Sequence, residues 1–274
     1  AVEVADIVTP TLFHYDCALK AIEKGCHVFL EKPVTTTLEQ AEELIRRLQE
    51  KGLKGQVGHV ERFNPAFTAV RPYIQSPAFI EAHRLAEFNP RGTDVSVVLD
   101  LMIHDIDAIL SLVASPVRSL TASGAKVINP TPDIANARIE FCNGCVANIT
   151  TSRISMKNMR KTRIFQRDAY VTIDFLKKKA EILRIHDAPA QPDPYAMILT
   201  NAEGVSKQIV FETPQVQENN AILDELNAFA CAIENGTTPP VTLQQGAAAL
   251  KVALDIVRDI ELHAARIEGN PAAQ

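Results

Sequence analysis

Two short segments of this 274-residue chain carry residue types that could strip a proton and a hydride from one carbon. Glu31-Lys32-Pro33 ends one apolar stretch, and Asp100-x-x-x-His104 lies inside another. A lysine ammonium can hydrogen-bond a hydroxyl oxygen, and an imidazole can take that hydroxyl's proton near neutral pH. Residues four apart on a helix share one face, so a carboxylate at 100 would orient a ring at 104 and favour its charged form. Asp105 and Asp107 also stand close, so spacing alone leaves open which acid serves His104. Lys32 falls where a strand would end, and open α/β sheets bind ligands at the carboxyl ends of their strands. Each signal has a bland counterpart, a lysine in a surface loop or a buried histidine held by a neighbouring carboxylate. Their order on one chain favours chemistry.

The elements that must position these groups follow from periodicity. Val4–Val8 reads as a strand stopped by Thr9-Pro10, Phe13–Lys24 as an amphipathic helix closed by Gly25, and His27–Leu30 as the next strand. Thr37-Leu38-Glu39-Gln40 reads as a capping box that opens a helix to Lys51, stopped by Gly52, and Leu53–Val60 as a third strand. Strand, helix, strand, helix, strand at this spacing means parallel βαβ units. From Asn64 the pattern changes. Pro65–Ile74 reads as a short helix, Phe79–Glu87 as a strand and Ser96–Val113 as one long apolar helix. Six strands follow at 117–127, 134–141, 146–154, 162–165, 170–175 and 181–185, separated by turn signals, which argues a mostly antiparallel sheet. A proline-rich loop at 188–194 precedes helices at 216–235 and 243–267, the second with Thr242 as its N-cap. The fold class expected is α/β plus α+β, dividing after residue 63.

Bulk properties exclude some classes. A net charge of −5 does not indicate a nucleic-acid surface. No apolar run approaches the roughly 18 residues of a membrane span. Five cysteines is an odd count that suits a reducing cytoplasm. Cys142-Asn-Gly-Cys145 could be half a metal or redox motif, but Asn-Gly is also a two-residue hairpin turn, and no second Cys-x-x-Cys exists. No metal is expected.

Thr9-Pro10-Thr11-x-x-His14, Ala18-x-x-Ala21, Gly25-x-His27-Val28, Glu31-Lys32-Pro33 and Asp100-x-x-x-His104-Asp105 together resemble the Gfo/Idh/MocA oxidoreductase family. The resemblance implies that 1–63 is a partial dinucleotide-binding (Rossmann) domain and 64–274 a substrate and oligomerisation domain. It implies a nicotinamide cofactor, NAD or NADP, and a large open sheet in the second domain. It implies that Lys32 hydrogen-bonds the reacting hydroxyl, that His104 is the acid/base and that Asp100 supports or shares that role. Thr9, Pro10, His14, Glu31 and Lys32 would border the cofactor, and the Lys32–Pro33 bond would often be cis. The family opens with a strand and G-x-G-x-x-G, about 70 residues that do not appear before Val4. Gly52-x-x-Gly55-x-x-Gly58 is no substitute, because it enters a strand rather than opening a helix. The chain is therefore read as a fragment or as lacking its natural start, and dinucleotide binding by this stretch alone is expected to be weak.

Gly58-His59-Val60-Glu61-Arg62-Phe63-Asn64-Pro65 resembles more loosely a subgroup acting on nucleotide sugars, the UDP-N-acetylglucosamine 3-dehydrogenases. Arg62 and Asn64 are its candidate substrate contacts. Arg153 and Arg163, from the basic run Arg153, Lys157, Arg160, Lys161 and Arg163, are two more, since arginine forks suit a diphosphate. The expected activity is hydride transfer between a sugar-type secondary alcohol, such as a UDP-amino sugar at C3, and nicotinamide. The competing readings are an inositol, free sugar or dihydrodiol as substrate, or a non-catalytic sugar-nucleotide binding protein. The expected partners are a small-molecule sugar or nucleotide sugar and further copies of the chain, as a dimer or tetramer.

Overall fold

The computed structural model describes residues 2–89, 95–189 and 197–268. Most of the proline-rich stretch at 188–194 lies outside them.

The first part alternates β1 (Val4–Ile7), α1 (His14–Glu23), β2 (His27–Glu31), α2 (Leu38–Glu50) and β3 (Gly55–Gly58). The three strands form a parallel sheet in the order β1-β2-β3. Its helix signals act as expected. Gly25 and Gly52 take φ of +81° and +64°, the left-handed conformation that ends a helix at little cost to glycine. Thr37 Oγ1 accepts from Gln40 N at 3.4 Å at the start of α2, although the Gln40 side chain reaches back to Thr36 rather than to Thr37. The third strand is shorter than expected, because a 3₁₀ turn at Val60–Phe63 takes over after His59.

The second part holds α3 (Pro65–Val70), β4 (Phe79–Leu85), α4 (Ile103–Leu112), β5 (Val117–Ala125), β6 (Ile134–Phe141), β7 (Val146–Ser152), β8 (Met159–Gln166), β9 (Ala169–Asp174), β10 (Lys179–Asp187), β11 (Met197–Thr200) and β12 (Ser206–Glu212). Nine strands make one sheet in the order β11-β12-β10-β9-β8-β4-β7-β6-β5. Every pairing is antiparallel except β4 with β7. Asn143-Gly144 is the turn between β6 and β7, with Gly144 at φ +88°. Its flanking thiols differ, Cys142 exposed and Cys145 buried, and burial pushes the Cys145 thiol up to about 11.

The helix expected over 96–113 begins differently. Val98–Met102 is a π-turn, in which Ile103 N donates to Val98 O five residues back, and only then does α4 start. The chain ends with α5 (Ala221–Glu234) and α6 (Leu243–Glu268), which return to the first sheet. Thr242 caps α6: its Oγ1 accepts from Gln245 N while Gln245 Oε1 accepts from Thr242 N. Val57 N donates to Val241 O, so the segment before α6 pairs with the edge of the first sheet.

Two apolar cores result. One packs Ile7, Val28, Leu30 and Val57 against Ala18, Ile22 and Leu44, and takes Leu243 and Leu250 from α6. The other packs Ile80, Ile139, Ile149 and Val171 against Phe67, Ile106 and Ile256. Leu99 touches both cores, so the π-turn lies on the seam between the two sheets.

Candidate active site

Lys32 leaves the carboxyl end of β2 at the cis Lys32–Pro33 bond. Its Nζ donates to Asp100 O at 2.7 Å and to Asp100 Oδ1 at 3.2 Å. The two chemistry-bearing segments, 68 residues apart, therefore meet at the seam. The π-turn changes the pairing expected from sequence. Asp100 serves Lys32 and makes no hydrogen bond to His104, because an extra residue in the turn breaks the four-residue stacking that the expectation assumed.

His104 sits one turn further on, with a buried Nδ1 that has no partner. Burial, then the charges of Arg84, Lys32, His59 and Arg160, hold it well below the usual imidazole range. The ring is thus neutral near pH 7.

Beneath His104 is a buried ion cluster that sequence reading did not single out. Arg84 Nε donates to Asp105 Oδ2 at 2.7 Å, and its Nη1 to Glu61 Oε1 at 2.9 Å. Burial pulls the Arg84 guanidinium down, but Asp105 and Glu61 outweigh it and hold it above its ordinary value. The cluster ties α4 to β4 and to the turn after β3. Strand parity was the available signal, since Arg84 follows Ile80 and Ala82 on the helix-covered side of β4.

Near the first sheet, His14 is buried rather than open to a cofactor. Its Nδ1 lies 2.9 Å from Pro33 O and its Nε2 2.8 Å from Thr9 O. It ties the loops after β1 and β2 together, so the expected direct contact becomes a positioning one. Thr9 and Pro10 are exposed beside Val8 and Leu12, which are 68% and 71% exposed. Apolar side chains are thus exposed at this strand end. The Glu31 carboxylate accepts from Lys32 N and lies against Gly58, where a Cβ would come within 3.1 Å of it.

The expected substrate contacts separate. Arg62 is buried, with Nε 3.1 Å from Asp107 Oδ2. It lines a groove of about 660 Å³ with Ser111, Arg118 and Arg258, one that includes neither Lys32 nor His104. Asn64 is a structural cap: its Oδ1 accepts from Ala66 N, and its Nδ2 donates to Glu61 and to Phe175 O. Arg153 is buried on Asp133 at 3.2 Å, locked into the loop before β6. Arg163 pairs with Glu81 on the opposite face of the sheet from Arg84, because period-2 alternation sends odd and even residues to different faces. The alternation leaves Arg160, cross-strand from Arg84, on the side of His104.

Buried acids and bases extend under the first sheet. His59 is fully buried with both ring nitrogens unpartnered, and burial first, then Arg62 and Lys32, lower it against the pull of Asp107. Glu225 on α5 is 2% exposed with Oε1 unpartnered. Burial, then Glu31, Asp107 and Asp6, push it up to about 8. Among the described residues no group of three or more His, Cys, Asp or Glu is placed to hold a metal ion. Nor is any described helix long and apolar enough to cross a membrane.

Comparison with known proteins matches this architecture in both parts. Residues 1–59 match the profile of the oxidoreductase family with an NAD-binding Rossmann fold, and residues 45–171 that of the GFO/IDH/MocA C-terminal domain. UDP-N-acetylglucosamine 3-dehydrogenase of Acidithiobacillus ferrooxidans is 38% identical over 66% of this chain and 58% of its own length. Its solved structure superposes with a TM-score of 0.85 at 31% identity, over 95% of this chain and 79% of that one. Two Bacillus subtilis enzymes are each 26% identical. The scyllo-inositol 2-dehydrogenase (NAD(+)) aligns over 88% of this chain and 70% of its own length, and scyllo-inositol 2-dehydrogenase (NADP(+)) IolW over 95% and 75%. The matched segments thus span about three fifths to three quarters of these curated relatives. A parallel sheet joined at a lysine-bearing strand end to a nine-stranded mixed sheet, with both family profiles matched, makes this chain a member of the Gfo/Idh/MocA oxidoreductase family.

Proposed function

We propose that the protein transfers a hydride between a secondary alcohol of a sugar-type substrate and a nicotinamide cofactor. The observation that carries this reading is the meeting of Lys32 and Asp100 at the seam, with His104 kept neutral beside them. Residues 1–63 form the cofactor side and 64–274 the substrate side, with α5 and α6 packing back onto the first. Thr9 and Pro10 border the nicotinamide face, while His14 fixes their loop against Pro33. When bound, the nicotinamide supplies the hydride acceptor or donor.

The chain's own groups handle the proton and the oxygen. The Lys32 ammonium, aimed by Asp100, donates to the reacting oxygen and steadies the negative charge that grows there as the hydride departs. His104, neutral near pH 7, takes the hydroxyl proton on an imidazole nitrogen. The positive groups around it keep it a weak base, so it returns that proton readily in the reverse direction. Asp100 is a positioning group for Lys32.

Of the substrate classes represented among the relatives, we assign a UDP-amino sugar oxidised at C3, supported by the 38% identity. An inositol is the second reading, favoured by the two inositol dehydrogenases that align over most of the chain. The test is nicotinamide reduction by the full-length protein with UDP-N-acetylglucosamine, myo-inositol and scyllo-inositol, each with NAD and with NADP. Reduction with UDP-N-acetylglucosamine is the expected result. Turnover of an inositol alone replaces the substrate assignment, and no turnover with any pair overturns the reaction.

A further inference from the structure

We propose that Arg160 receives a phosphate of the substrate and so selects a phosphate-bearing sugar over a neutral polyol; this rests on the hydride-transfer reading of the Lys32–His104 site.

The basic run at 153–163 is sorted by the fold. Arg153 is spent on Asp133, Lys161 on Asp174 at 3.5 Å, and Arg163 on Glu81. Lys161 and Arg163 share the outer face of β8. Arg160 alone of the three arginines stands on the helix-covered side, directly across from Arg84, whose guanidinium holds Asp105 next to His104. Its Nη1 approaches Glu61, the same carboxylate that Arg84 holds, and its charge is felt at His104.

Arg160 is also weakly engaged. Its Nη1 lies 3.6 Å from Glu61 Oε1, beyond a hydrogen bond, and its side chain is 48% exposed. Glu61 is already satisfied. Oε1 accepts from Arg84 Nη1 at 2.9 Å, and Oε2 from Asn64 Nδ2 at 3.0 Å. A half-exposed pair at such a distance contributes little to stability. The fork of N–H donors is therefore largely unspent, and half-exposed beside the Arg84–Glu61 pair. A planar guanidinium matches two oxygens of a phosphate. Lys157, exposed in the loop leading into β8 and without a partner among the described residues, supplies a second cation at the same strand end. Two cations suit a diphosphate better than a singly charged carboxylate. The buried Arg84–Asp105 pair is closed to a ligand, so it cannot take this role.

The test uses the full-length protein with Arg160→Met, Arg160→Lys and, as a control on the outer face, Arg163→Met. Binding of UDP is measured by calorimetry, and steady-state kinetics are run with UDP-N-acetylglucosamine and myo-inositol. Loss of charge-assisted hydrogen bonds should weaken UDP binding by roughly 10- to 100-fold in Arg160→Met. Arg160→Lys should recover part of that loss, and Arg163→Met should match the parent. KM for UDP-N-acetylglucosamine should rise with UDP Kd, while kcat, and kcat/KM for any inositol turnover, change far less. UDP affinity unchanged in Arg160→Met, or absent in the parent protein, overturns the proposal. So does an equal loss with UDP-N-acetylglucosamine and inositol, which would mean that Arg160 acts through His104. If neither substrate turns over but UDP binding depends on Arg160, the hydride-transfer reading fails and the phosphate contact stands.

Discussion

In the reaction proposed above, the neutral His104 imidazole takes the proton and the Lys32 ammonium holds the oxygen. His104→Ala in the full-length protein should lower turnover by roughly 10²- to 10⁴-fold and leave cofactor affinity within a few-fold; near-parent turnover would remove His104 from the chemistry. Glu225 makes a separate prediction. Its carboxyl keeps its proton up to about pH 8 in the folded state, against an ordinary value of 4.5. Between those values the unfolded chain has lost a proton that the folded chain retains, so stability falls as pH rises through the window. Glu225→Gln should remove that loss. It should be more stable than the parent by roughly 1–3 kcal/mol near pH 8, with the difference gone near pH 4. Urea midpoints across this range check it, and parallel curves for the two proteins would contradict it. Residue types and order singled out Lys32 and Asp100, which meet at the seam, and His104 one turn on. Their partners were not legible in sequence, because the reading assumed a regular helix through Asp100. His14 was seen as a ligand contact because its burial between two loop carbonyls is a tertiary fact.

At the scale of elements, the caps were the most legible features, since Thr37, Gly25, Gly52 and Thr242 act over three or four residues of local chain. The π-turn was hidden, because Val97 through Ile103 is apolar on nearly every side and shows no period to interrupt. The strands β11 and β12 went unseen for the opposite reason. At the sheet edge both of their faces are partly exposed, so burial imposes no alternation on them. Helix α6 gives a test of how it meets the first sheet. A Cβ on Gly246 would lie 2.6 Å from Val57 Cγ2. Alanine normally favours a helix interior by up to about 1 kcal/mol over glycine. Here Gly246→Ala must push α6 off β3, and a net loss of roughly 1–3 kcal/mol is expected, read as a lower urea midpoint. A gain in stability would show that the contact yields easily.

For the whole molecule, alternating strand and helix followed by strands in series made both sheets legible. The return of α5 and α6 to the first sheet was not legible, because nothing local in residues 221–268 says which sheet their apolar stripes cover. The outer face of the nine-stranded sheet carries Met197, Leu199 and Phe211 at 51%, 58% and 68% exposure, all of one parity across β11 and β12. Such a patch is costly to leave in water. Self-association through it is the expected outcome, with sedimentation velocity showing a dimer or larger species and Phe211→Lys shifting the distribution toward smaller ones. A single monomer boundary at every attainable concentration would rule this out.

The position of β4 bears on how the chain reaches this structure. β7 and β8 follow each other in sequence yet do not pair, because β4 lies between them, parallel to one and antiparallel to the other, using residues 79–85 on both sides. Without β4 the sheet divides into two sequence-local meanders, β5–β7 and β8–β10, whose facing edges have the antiparallel direction of a simple hairpin. Contacts of long sequence separation form late because their loop closure is paid first. The central strand is therefore expected to enter last, in competition with a β7–β8 hairpin. Pulse-labelled hydrogen exchange during refolding should find amides of β6 and β9 protected before those of β4. Protection of β4 ahead of both meanders would mean that the strand is the template on which they assemble.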